Sequence, residues 1–173
     1  ESRRLHSSLL RELGELALSA EEFIHIQALM KGDWLHRLPT HKRQYVEINF
    51  HLESTKQAWL SGEHEQALHY AREAETLALR SGARSRSGLA LNFAGRVLLD
   101  LQRYDEAYDY YMRSHDLLAR VGHTDRFTSL GYAAVCLAQL GDYDGALENY
   151  HSFTAGLRNS GRLLSARLGQ PFM

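Results

Sequence analysis

Apolar residues recur at steps of three and four along most of the chain. Leu130, Ala133, Ala134, Leu137 and Leu140 form one such run, which places them on a single helical face. Runs of matching length occupy Ile48 to Leu60, Leu89 to Leu101 and Thr128 to Leu140, and each turns at a Gly or Gln before a second run begins. The second runs superimpose: Gly62-Glu63-His64-Glu65-Gln66-Ala67-Leu68, Gln102-Arg103-Tyr104-Asp105-Glu106-Ala107-Tyr108 and Gly141-Asp142-Tyr143-Asp144-Gly145-Ala146-Leu147. Their alanines, Ala67, Ala107 and Ala146, lie 40 and then 39 residues apart. Self-similarity at a fixed period of about 20 to 50 residues marks a stack of supersecondary units. The pattern therefore predicts an all-α solenoid of antiparallel helix hairpins over about 46–82, 86–122 and 125–161.

The small residues carry a packing requirement. Ala67, Ala107 and Ala146 fall where the second helix of a hairpin approaches the first, and a larger side chain would force the axes apart. His64, Tyr104 and Tyr143 stand three residues earlier, and Ala71, Tyr111 and Tyr150 four later; the aromatic members are expected to fill gaps between hairpins. The units close at Arg80-Ser81-Gly82, Arg120-Val121-Gly122 and Asn159-Ser160-Gly161. In residues 1–45, Leu10, Leu13-Gly14, Ala17, Phe23, Ile26 and Met30 fit the same pattern at a period of 41, as a diverged repeat or cap. Gly32-Asp33 and Pro39-Thr40 mark a linker behind it. Residues 162–173 read as the start of a further helix or a C-terminal cap, Arg162 to Leu168, stopped at Gly169-Gln170-Pro171.

Leu140-Gly141-Asp142-Tyr143-Asp144-Gly145-Ala146-Leu147-Glu148-Asn149-Tyr150, with the small pairs Ala94-Gly95 and Ala133-Ala134 in first helices, resembles the tetratricopeptide repeat family over roughly residues 46 to 160. The resemblance implies a superhelix whose concave wall is built from first helices and which binds a protein or peptide. On that wall it places Asn49, Leu52, Glu53, Lys56 and Trp59, then Leu89, Asn92, Phe93, Arg96 and Leu99, then Thr128, Tyr132, Val135 and Gln139. Lys56, Asn92 and Arg96 are expected to hold a peptide carboxylate or backbone, with Trp59, Phe93 and Tyr132 forming apolar pockets. The competing reading of Phe93 and Tyr132 is packing within the stack. Leu52 and Leu89 occupy places where the chaperone-tail-binding members need polar groups, which argues against that specificity. A period near 40 with glycine stops, in place of the usual 34 and a proline, is similar to the variant in bacterial regulatory proteins, including peptide-binding receptors and the sensor arms of transcription activators.

Composition narrows the partners. Twenty basic against twenty-one acidic residues leave a formal charge of -1, so no general basic field exists to gather nucleic acid or anionic lipid. No apolar run reaches the span of a bilayer, and the first residues do not lead into a signal-peptide core, so a cytoplasmic setting is expected. The chain opens inside a helix-like pattern without an initiator Met, as expected of a piece of a longer protein. Cys136, in an apolar run, reads as core.

No catalytic constellation emerges, and the chain is read as a non-enzyme without cofactor or metal. The histidine pairs His36/His41 and His64/His69 are five apart, not the four that brings two ligands onto one face, and read as solvated or capping groups. Arg84 and Arg86 read as a solvated inter-repeat turn, and Tyr104, Tyr108 and Tyr111 as packing, with Tyr110 exposed. Two functions follow. The first is a binding module for a protein or peptide, within a larger bacterial signalling or transcription regulator. The alternative is a scaffold that self-associates as a homo-oligomer through the ends of the stack, using Leu163, Leu164 and Leu168 or the Leu5 to Leu18 region.

Overall fold

The computed structural model describes Phe23, Ile24, Gln27, Ala28 and residues 30–159. The expectations for most of the N-terminal unit, and for the helix after Gly161, lie outside the described residues. A 3-10 turn, Leu35–Arg37, leads into α1 (Thr40–Leu60), α2 (His64–Arg80), α3 (Arg84–Asp100), α4 (Tyr104–Arg120), α5 (Asp125–Leu140) and α6 (Tyr143–Asn159). No strand occurs among the described residues. The second helices start at His64, Tyr104 and Tyr143, at the spacing of the aligned alanines. The first helices start earlier than the apolar pattern indicates. Pro39, at φ -52, leads directly into α1, so Thr40 belongs to the helix and not to the linker. The next residues, His41 to Gln44, are polar and add no apolar periodicity. Likewise Ser85 and Arg86 lie inside α3 and not in a turn.

One turn design recurs at all five junctions between these helices. Gly62, Gly82, Gly122 and Gly141 take positive φ, and Gln102 does so at the fifth position, φ 59. The residue after each returns its N–H to a carbonyl five residues back: Glu63 to Ala58, Ala83 to Ala78, Arg103 to Leu98, His123 to Leu118 and Asp142 to Leu137, at 2.8–2.9 Å. These bonds satisfy carbonyls that the helix end would otherwise leave without partners.

Within a hairpin the helices approach through a large residue set against a small one. Ile48 of α1 and Ala78 of α2 share a buried cluster. In the second hairpin the polarity reverses: α3 supplies Gly88, where a Cβ would lie 2.6 Å from Leu118 of α4. In the third both directions occur: Phe127 of α5 occupies the space that a side chain on Gly156 of α6 would need, and Phe153 of α6 lies 3.2 Å from where a Cβ on Gly131 of α5 would stand. Gly95 makes similar room for Tyr111, whose fully buried ring anchors a cluster containing Ala107, Ala133 and Cys136. Tyr150, the counterpart of Tyr111 in the last hairpin, is 53% exposed, because no described helix lies beyond α6 to cover it. Tyr110 is not open to solvent as its position indicated: it is half-buried between Arg72 and Arg113.

The histidines are not uniformly solvated. His51 of α1 is half-buried between Phe50 and Tyr70, with Nδ1 sealed from water and without a hydrogen-bond partner. Burial holds its pKa below the ordinary 6.5, opposed by the nearby Glu73 and assisted by His69. The unfolded chain then binds more protons than the folded one as pH falls through 6.5, so stability present above that value is lost on acidification. Thermal melts from pH 7.5 to 5.5 should show a falling midpoint, and His51→Phe should flatten the dependence.

Two backbone predictions follow from the turns and the close approaches. Gln102→Gly should raise the melting temperature by relieving about 1 kcal/mol of left-handed strain. Gly88→Val should lower it, since overpacking costs about 1–3 kcal/mol. Circular dichroism melts of the two variants check both signs.

Candidate functional site

First helices touch first helices across hairpins, α1 against α3 and α3 against α5, and thereby form the inner side of the stack. Between α3 and α5 lies a groove of about 210 Å³ lined by Leu89, Asn92, Phe93 and Arg96 from α3 and Asp125, Thr128 and Tyr132 from α5. Five of the residues singled out from the sequence thus converge: Asn92, Phe93, Arg96, Thr128 and Tyr132. Trp59 joins them from α1.

Arg96 is held by aromatic faces from both neighbouring hairpins. Its guanidinium carbon sits 4.4 Å from the Trp59 ring centroid and 5.6 Å from that of Tyr132. Tyr132 in turn stacks on buried Tyr111, centroids 5.2 Å apart and planes 13° from parallel. The Trp59 Nε1–H donates to Asp100, one turn beyond Arg96 on α3. Among the described residues Arg96 forms neither an ion pair nor a hydrogen bond. The guanidinium thus keeps its N–H donors free of partners within the described residues.

Asn92 is fixed from below. Ser129 Oγ lies 2.8 Å from Asn92 Oδ1 and 3.2 Å from Ser114 Oγ, and Ser114 donates to the carbonyl of Gly88 at 2.7 Å. Its carboxamide oxygen is engaged inside the stack, which leaves the NH2 end to serve the groove. Phe93 and Tyr132 combine the two roles set against each other in the sequence: both are part-buried in the packing and both line the groove.

The other residues assigned to the wall are placed differently. Asn49 and Glu53 are 1% exposed and lie beneath the wall, not on it. Asn49 Oδ1 accepts from Arg86 Nε of α3 at 2.9 Å, and Arg86 lies over Tyr45 at 4.1 Å. Glu53 accepts from Lys56 at 3.2 Å and Gln57 at 2.8 Å, so Lys56 is tied to a buried carboxylate and is not a bare cation awaiting a peptide. Gln139 is exposed at the end of α5, away from the groove. Val135 faces a second, larger cavity of about 600 Å³ between α5 and α6, together with Tyr143, Leu147, Tyr150 and Phe153.

Asp100, Ser129 and the Tyr45–Arg86 pair escaped the sequence reading. Their one legible trace is a spacing: Arg86 follows Asn49, and Ser129 follows Asn92, by 37 residues, close to the repeat period. Cys136 is buried, and burial pushes its thiol up to about 11, which removes it as a nucleophile. No helix among the described residues is long and apolar enough to cross a membrane.

The tetratricopeptide repeat family model matches residues 86–152, which covers α3 to α5 and much of α6. Among solved structures, the chain is similar to the TPR domain of FLU from Arabidopsis, with a TM-score of 0.64 and 23% identity, over 67% of this chain and 98% of that one. No curated protein matches the chain. Such a likeness in structure establishes an α-solenoid of stacked hairpins, and the family match marks residues 86–152 as similar to tetratricopeptide repeats, a family whose domains are protein-interaction modules.

Proposed function

We propose that the chain is a peptide- or protein-recognition module that uses the α3–α5 groove and not nucleic acid, lipid or catalysis. The observation that carries this is Arg96, braced between Trp59 and Tyr132 on the inner wall, with Asn92 beside it in a groove that has apolar sides. Aromatic residues and arginine are the side chains most often found at the energetic centres of interfaces. Asn92 and Arg96, one helical turn apart, present donors to a carbonyl or carboxylate of an extended segment. The long period and the glycine-terminated hairpins favour the wider setting of a regulatory domain in a larger bacterial signalling or transcription protein.

The self-association reading rests on a different surface. Val135, Tyr143, Leu147 and Tyr150 are 44%, 73%, 55% and 53% exposed around the α5–α6 cavity, a contiguous apolar face at the last described hairpin. If it is used between copies, light scattering will show concentration-dependent dimers that Leu147→Lys abolishes; a monomer throughout would remove this reading.

Site-specific photo-crosslinking tests the wall itself. A crosslinker placed at Thr128 should capture a partner from extract that one placed at exposed Glu73, on the outer helix α2, does not, and the capture should fall at least ten-fold with Asn92→Ala combined with Arg96→Ala. Capture from position 73 alone would move the site to the outer surface. Lys56→Ala is expected to act on stability instead, costing about 1–3 kcal/mol by leaving the Glu53 carboxylate buried without its cation.

A further inference from the structure

The outer stripe of α6 has the spacing of a helix-pairing seam. Tyr143, Leu147, Tyr150, Thr154 and Leu157 alternate steps of four and three, the repeat that keeps one apolar line facing a partner helix. Tyr143, Leu147 and Tyr150 are exposed, and with Val135 of α5 they border the cavity of about 600 Å³. Inside the stack the matching stripe is covered: Tyr108 and Tyr111 of α4 pack in one cluster with Ala133 and Cys136 of α5, and Tyr111 stacks on Tyr132. Tyr132 follows Tyr111 by 21 residues, and the residue at that interval from Tyr150 is Pro171, with Gly169 just before it. A proline does not fit the middle of a helix, so the repeat pattern does not run on at this place.

Charge distinguishes this face from the interior ones. Next to the seam, Asp144 stands at the N-terminal end of α6 and Arg158 at the C-terminal end, both exposed. The places of Arg158 in α2 and α4 are held by Leu79 and Ala119, and the terminal arginines there, Arg80 and Arg120, stand one residue later. One residue is about 100° round the helix, which turns those arginines away from the stripe. A seam with an acid at one end and a base at the other is complementary to itself turned end for end.

We infer that the α5–α6 face is closed by the same face of a second copy, with the two α6 helices antiparallel about a two-fold axis near Tyr150 and Asp144 of each copy opposite Arg158 of the other. This rests on the self-association reading above and adds to it the direction, the register and the residues that set them. Leu147 then lies across from Thr154 of the other copy, and the cavity between α5 and α6 gives the incoming seam residues room to enter. A parallel pairing would set Asp144 against Asp144 and Arg158 against Arg158, so the charges select one orientation as the apolar stripe supplies the contact.

Sedimentation velocity on the intact chain and on two variants at these exposed positions tests this. The wild type should form a concentration-dependent dimer, and Asp144→Arg and Arg158→Glu should each weaken it about ten-fold or more, by setting like charges together at both ends of the seam. Mixed in equal amounts, the two variants should recover dimers of wild-type strength, since each then meets its complement. A loss that arises within one copy, misfolding included, is not repaired by mixing. A dimer that neither variant weakens, or a loss that mixing fails to repair, would overturn the antiparallel arrangement and leave self-association standing. A wild type that stays monomeric at every concentration would overturn the inference together with that reading. Dimers that then appear on removal of residues 162–173 would assign the cover to the chain's own last segment, and continued monomers would assign it to a different protein.

Discussion

The distance between paired helices controls this array, and that distance is set by where the chain omits side-chain atoms. Gly88 beneath Leu118, Gly156 beneath Phe127, and Gly95 beneath Tyr111 each allow a neighbour to occupy space that a Cβ would claim. Either helix of a hairpin supplies the small partner, so the constraint falls on the pair and not on a fixed position. Ala67 and Ala107, fully buried, and Ala146, 9% exposed, serve the same end in each second helix. With the axes held close, the five left-handed turns need only reverse the chain, and each does so with the same hydrogen bond.

The wall follows from that spacing. First helices near enough to touch bring Ser129 to Asn92 and Arg86 to Asn49, so polar residues that would face solvent on an isolated hairpin become struts between hairpins. The same proximity lets one arginine reach an indole on the preceding unit and a phenol on the following one. A surface cation is ordinarily mobile and hydrated. Here packing has removed most of that freedom in advance.

The fold was legible in the sequence because its determinants are local and periodic: alanines 40 and 39 apart, apolar faces at helical spacing, and a glycine suited to left-handed backbone at four of the five junctions. The groove was legible in part. Asn92, Phe93, Arg96, Thr128 and Tyr132 were placed on one surface because helical phase alone decides which way they face. Asn49, Glu53 and Lys56 share that phase, yet their exposure depends on what the next hairpin lays over them, and Arg86 is 37 residues away from Asn49. Helical phase carries no record of that cover. Asp100 was invisible for a related reason: its role as acceptor exists only because Trp59, 41 residues earlier, leans across the interface.

The ring–cation–ring arrangement has a mechanical meaning as well. Solenoid curvature is the sum of small rotations between neighbouring units, and Trp59, Arg96 and Tyr132 come from three consecutive hairpins on the inner side, where any change of curvature is felt as compression or separation. Tightening the coil would press the rings onto the guanidinium, and opening it would draw them off. If the groove is where a ligand is read, its occupancy and the pitch of the superhelix are coupled variables, and the same three side chains bear on both.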